Sequence, residues 1–185
     1  MDRSKINKLE ELINAVLFHD LQLARALIHA GVNVNGKNCM KVSPLCLAAA
    51  MGNLAMVKLL LKAGARINAR EDNLRATPLI RAAWGSRHGL NANRSFQVIK
   101  YLVLAGAQLN ARDRFGHTAL FGARSECRQA VAYLTKKGCI LDSKSQVISK
   151  EMRGRMMAED NWQDMRTQAY ENQWDKYRVE ILRGL

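Results

Sequence analysis

Four glycines, Gly31, Gly64, Gly106 and Gly138, stand in the same apolar frame. Seven residues before them come Ala24, Val57, Ile99 and Val131, and four before come Leu27, Leu60, Leu102 and Leu134. Three residues after them come Val34, Ile67, Leu109 and Leu141, and four after come Asn35, Asn68, Asn110 and Asp142. This recurrence constrains the chain more than any other property. One supersecondary unit is repeated, and a unit so short must share its core with its neighbours.

Each column has a physical meaning. The apolar residues before the glycine recur at helical spacing and mark the buried stripe of a helix. The glycine supplies the left-handed residue that ends it. The Asn suits the start of a tight turn. Some twelve residues later a new helix opens on Ser43-Pro44-Leu45, Thr77-Pro78-Leu79 or Thr118-Ala119-Leu120. Ser or Thr caps that helix, and Pro is tolerated in the first turn because no donor is lost there. Asp20, Asn53 and Ser95 share one register before their glycines, and each is expected to cap the second helix of its pair.

These phrases resemble the ankyrin repeat, whose signature opens Thr-Pro-Leu-His-x-Ala-Ala and closes Leu-Leu-x-x-Gly-Ala-x-x-Asn-Ala. The chain reads SPLCLAAAMGNLAMVKLLLKAGARINA, then TPLIRAAW, then YLVLAGAQLNARDRFGHTAL, and the match runs over roughly residues 9–142. The resemblance implies an all-α solenoid of about four helix-pair repeats, near 9–37, 38–70, 71–112 and 113–142. Leu9, Leu12, Ile13, Val16 and Leu17 form the apolar stripe of an N-terminal cap repeat, with Lys8, Glu10, Glu11 and Asn14 available to water.

The departures are specific. Cys46, Ile80 and Phe121 stand at the signature His. In the family that His helps to tie neighbouring loops, so this array lacks that tie. The glycines bracketing the third repeat are 42 residues apart, against 33 and 32 elsewhere, which places an insertion near 85–94. The phrases fade after Asp142. Residues 143–185 read as a degenerate helical C-terminal cap, with Tyr170, Trp174, Tyr177 and Ile181 on one stripe.

Catalytic and metal-binding sets are missing from the pattern. His19, His29, His88 and His117 have no Ser, Cys or carboxylate at a triad or ligand spacing. Cys39, Cys46, Cys127 and Cys139 form no CxxC pair and read as free thiols of a reducing compartment. The expectation is no enzyme, no metal, no cofactor and no small-molecule substrate. The charged start MDRSKINKLEEL is unlike a signal peptide, and no stretch has the length of a membrane span, so a cytoplasmic protein is expected.

Charge points instead to recognition. The net formal charge is +13, and residues 21–112 hold thirteen Lys and Arg against only Glu71 and Asp72. Residues 143–185 are close to neutral, with eight bases and seven acids. In ankyrin folds loop tips and first helices form the concave contact surface. That resemblance puts Lys37, Lys41, Arg70, Arg75, Arg112 and Arg114 at tips, and Arg81 and Trp84 on a first helix. Trp84 reads equally well as core beneath the insertion. Arg87, His88 and Arg94, in the insertion, are a second contact loop. The expected function is a protein-interaction module (scaffold, adaptor or inhibitor) that meets an acidic protein. The alternative is a nucleic-acid binder using the same basic surface, although no aromatics interleave with the bases as stacking platforms would require.

Overall fold

The computed structural model describes residues 3–85, 92–123 and 127–140, with the side chains of residues 3–7 excepted. It divides into two units, Met1–Asp142 and Ser143–Leu185. The second unit, which carries the expected C-terminal cap and its aromatic stripe, lies outside the described residues.

The first unit is built from α1 (Arg3–Leu17), α2 (Leu21–His29), α3 (Pro44–Ala50), α4 (Leu54–Lys62), α5 (Pro78–Gly85), α6 (Ala92–Leu104), α7 (Ala119–Ala123) and α8 (Arg128–Lys136). No strand occurs among the described residues. Successive helices pair: α1 with α2, α3 with α4, α5 with α6, α7 with α8. The first helices pack on one another in the order α1, α3, α5, α7, and the second helices in the order α2, α4, α6, α8. The result is a two-layered helical stack, as the repeat predicts.

Helices this short are not stable alone, so their ends and their shared core must hold them. Asp20 accepts from the Leu23 backbone N–H at 2.9 Å and Asn53 from that of Met56 at 3.0 Å. Ser43 accepts from the Cys46 N–H and Thr77 from the Ile80 N–H, each at 3.4 Å. At the other end Gly31, Gly64, Gly106 and Gly138 take φ of 78°, 87°, 90° and 86°. The residue after each glycine donates back across it, as when Ala65 N–H reaches Leu60 O at 3.0 Å. The core is one ladder of apolar side chains, including Leu12, Ile13, Leu45, Met56, Leu60, Leu79, Ile99, Leu102 and Leu134, all fully buried. In the cap repeat Val16 joins them, while Leu9 and Leu17 are half-buried and Lys8 and Glu11 are exposed.

Three expectations change. Ser95 does not cap α6. The helix begins at Ala92 and runs 13 residues, against 9 in α2, α4 and α8, so part of the insertion is taken up as an extra turn. Ser95 is therefore inside the helix, fully buried, with its hydroxyl unpartnered among the described residues. That turn passes close over Gly52, whose absent side chain leaves room for Arg94 Cβ and the Ser95 backbone. Thr118, expected as a cap, turns its hydroxyl to the Ile140 carbonyl at 3.3 Å, so it links the hairpin ahead of α7 to the chain after α8.

The third change concerns the tie between loops. It is supplied by the asparagine column. Asn35 donates from Nδ2 to Gly64 O at 3.1 Å and accepts from Arg66 N–H at 2.8 Å. Asn110 repeats this on Gly138 O at 3.3 Å and Ile140 N–H at 2.8 Å. Asn68 accepts from Gln108 N–H at 2.9 Å. One side-chain amide thus clamps the helix end of the following repeat. At the signature His position, Cys46 points its thiol at Ala69 O, 3.9 Å away. Phe121 lies face to face with His117, ring centroids 3.8 Å apart.

Candidate functional site

The hairpin tips stand ahead of α3, α5 and α7. Seven residues after each glycine a polar side chain folds inward: Asn38, Glu71 and Asp113, all buried. Asn38 accepts from Val42 N–H at 3.0 Å, and Asp113 Oδ1 accepts from the N–H groups of Phe115 and His117, each at 2.8 Å. These bonds make each tip a defined turn.

Two residues before each helix cap the backbone is left-handed. In the last hairpin that residue is Gly116, with φ 82°. In the first two it is Lys41, φ 60°, and Arg75, φ 53°. A side chain in this region costs on the order of 1–2 kcal/mol relative to glycine. Both cations are exposed.

Neighbouring tips are stitched together. Asp72 N–H donates to Lys41 O at 3.3 Å and Asn73 Nδ2 to Met40 O at 3.1 Å. Between the next two tips, Arg114 N–H donates to Leu74 O at 2.7 Å and Arg70 Nη1 to Arg112 O at 2.8 Å. Lys37 pairs with Asp72. The three tips therefore form one continuous, cross-linked row.

Lys41, Arg70, Arg75, Arg112 and Arg114 are exposed along this row. Lys37 is one-third exposed through its side chain and is engaged by Asp72. Arg81 departs from the expectation of a surface cation. It is 9 % exposed, and its guanidinium grips the fully buried Glu71 carboxylate through Nε and Nη2. Burying Glu71 without a partner would be far more costly than burying the pair, so Arg81 turns inward. Trp84 is half-buried, its indole lying against Gly122, where any side chain on α7 would strike the ring. Trp84 thus takes part in α5–α7 packing. In the insertion, Arg87 and His88 lie outside the described residues, and Arg94 is exposed in the first turn of α6.

Pairing has an electrostatic consequence. Glu71 and Asp72 are the only acids among residues 21–112, and the first is neutralised by Arg81, the second by Lys37. The sequence holds no other acid within residues 21–112 to offset the remaining cations of that stretch. One residue missed by sequence reasoning joins the row. Phe115 is 56 % exposed at the last tip, directly after Arg114 and tilted over His117 with ring centroids 5.9 Å apart. Its signal was an aromatic residue inside an otherwise polar hairpin, RDRFGH.

Among the described residues no group of His, Cys, Asp and Glu could hold a metal ion, and no helix is long and apolar enough to cross a membrane. The cysteines are thiols: Cys46, Cys127 and Cys139 are buried and Cys39 is exposed on the first tip. Burial pushes the Cys46 thiol up to about 12 and raises that of Cys139. Neither is an activated nucleophile, which needs a lowered value.

Comparison with known proteins agrees with the geometry. BRCA1-associated RING domain protein 1 of Caenorhabditis elegans is 30% identical over 115 residues, covering 62% of this chain and 15% of that protein. The chain therefore spans only a small part of the length of that relative. A family model for ankyrin repeats, in three copies, matches residues 12–113. With the stacked helix pairs, glycine-ended helices and cross-linked hairpins described above, the chain belongs to the ankyrin-repeat family.

Proposed function

We propose that this chain is a protein-interaction module, acting as scaffold, adaptor or inhibitor, that docks an acidic partner protein on its row of hairpin tips. Ankyrin repeats generally mediate protein–protein interaction and are typically non-enzymatic. The observation that carries the acidic-partner reading is the left-handed backbone at Lys41 and Arg75, where the last hairpin uses Gly116. Strain held by a functional group points to a use for that group. The internal pairing of Glu71 and Asp72 adds to it, because it leaves the tip cations to act outward. Cross-links between tips hold those cations in place before binding, which lowers the entropy lost on association. Long-range attraction speeds encounter, and an exposed aromatic such as Phe115 among arginines provides the anchor that sets lifetime.

The test compares the wild-type chain with two tip variants, Lys41→Gly/Arg75→Gly and Lys41→Glu/Arg75→Glu/Arg114→Glu. Arg70 is left in place because it also bonds Arg112 O. Each is immobilised, and proteins retained from the native host are identified by mass spectrometry at several salt concentrations. The expected result is a set of acidic proteins held by the wild type, released by salt, and lost from both variants with helicity intact. Retention of the same set by the folded charge-reversed variant refutes the assignment of this face.

A further inference from the structure

The second-helix layer carries a basic surface separate from the tips. The helices α2, α4, α6 and α8 contain no Asp or Glu at all. Each presents bases on the side opposite its buried stripe. Arg25 stands opposite Ala24 and Leu27, while Lys58 and Lys62 stand opposite Met56, Val57 and Leu60. Lys100 stands opposite Val98 and Leu102, and Arg128 and Lys136 opposite Ala130 and Leu134. All six cations are exposed. Because α2, α4, α6 and α8 lie side by side, these cations spread over one broad face rather than along one helix. Among the described residues, Glu11 on α1 and Asp20 at the cap of α2 are exposed acids.

Two features decide what such a face meets. Leu104 follows Lys100 by one helical turn and is 67 % exposed, so an apolar side chain stands out among the cations. The tyrosines of this layer are not open stacking platforms. Lys58 Nζ lies over the Tyr101 ring at 5.4 Å from its centroid, and Lys137 Nζ over Tyr133 at 5.9 Å. A nucleic-acid strand would find cations but no free aromatic face. An anionic bilayer offers charge in two dimensions without register and an interface into which a leucine can insert.

We propose that the outward face of α2, α4, α6 and α8 docks peripherally on an anionic lipid surface, with Lys62, Lys100 and Lys136 at the headgroups and Leu104 inserted. The attachment is electrostatic and reversible, since about one leucine without an acyl chain gives no lasting anchor. It leaves the hairpin tips to a separate partner.

The test is co-sedimentation with phosphatidylcholine vesicles with and without phosphatidylserine, at low and high salt. Wild-type protein is expected to sediment with the anionic vesicles only, and to be released by salt. Lys62→Glu/Lys100→Glu/Lys136→Glu is expected to lower vesicle affinity by at least about a hundredfold, given roughly fivefold for each of three cations at such a surface. Leu104→Ser is expected to lower it severalfold, and Lys41→Glu/Arg75→Glu/Arg114→Glu to leave it unchanged. Far-UV circular dichroism confirms folding of each variant. The proposal is overturned by no sedimentation at low salt, by equal binding to neutral vesicles, by an unaffected helix-face variant, or by loss confined to the tip variant. Duplex DNA run in parallel identifies the alternative, since capture of DNA without capture of vesicles also overturns it.

Discussion

Arg81 lies against the carboxylate of Glu71, its Nε donating to Oε1 at 2.5 Å and its Nη2 to Oε2, with Glu71 excluded from solvent. The pair joins the second hairpin to α5. Desolvating both charges offsets much of their attraction, so the pair adds little over an apolar substitute, yet breaking it strands a buried charge. Glu71→Ala is therefore expected to cost about 3–5 kcal/mol. Glu71→Leu/Arg81→Met should recover most of that loss. Urea denaturation of the three proteins checks this, and a single-variant cost below about 1 kcal/mol would show that water reaches the site.

The asparagine clamps set the coupling between repeats. Asn35 and Asn110 each make two hydrogen bonds to the next repeat. At about 1 kcal/mol per bond, Asn35→Ala and Asn110→Ala should each cost about 2 kcal/mol. The sites lie in different repeats, so the double variant should show nearly the sum in equilibrium unfolding. Asn110→Asp keeps the acceptor for Ile140 N–H but loses the donor to Gly138 O, and should fall between wild type and Ala.

Lys41 and Arg75 trade stability for placement. Replacing either by glycine relieves a left-handed side chain and should raise stability by about 1 kcal/mol per site. Part of the gain is offset because glycine also loosens the unfolded chain. A rise in Tm with a loss of partner capture is the expected pairing. A fall in Tm on Arg75→Gly would mean that its side chain contributes packing that outweighs the strain.

The thiols should differ sharply. Cys39 is exposed, whereas Cys46, Cys127 and Cys139 are buried. Alkylation of the native protein near neutral pH should label one thiol quickly and four after unfolding. The high Cys46 value has a sign consequence. Between its ordinary 9.0 and about 12 the unfolded chain loses a proton that the folded chain keeps. Stability should therefore be unaffected by this thiol below pH 9.0 and should fall as pH rises toward 12. Cys46→Ala should flatten that part of the profile.

Much of the fold was legible because it depends on short-range chemistry repeated four times. The glycines end their helices, Ser43, Asp20 and Asn53 cap theirs, and the leucine column is the core. The candidate face was legible only in part. Register placed Lys41, Arg75 and Arg114 at tips and Arg81 on a first helix, but nothing in the letters showed that Arg81 turns inward to the buried Glu71. Ser95 illustrates the same limit. It occupies the register of Asp20 and Asn53, yet α6 extends a turn beyond it because the inserted residues can continue the helix across Gly52.

By itself the sequence determined the period, the glycine-marked ends of the second helices, the buried stripe and the excess of positive charge, since these follow from residue type and spacing along one chain. Only the tertiary structure decided which acids neutralise which bases, that each asparagine reaches into the following repeat, and that two cations sit on strained backbone at cross-linked tips. Those outcomes depend on groups brought together from different repeats, where burial makes an unpaired charge or amide too costly to leave alone.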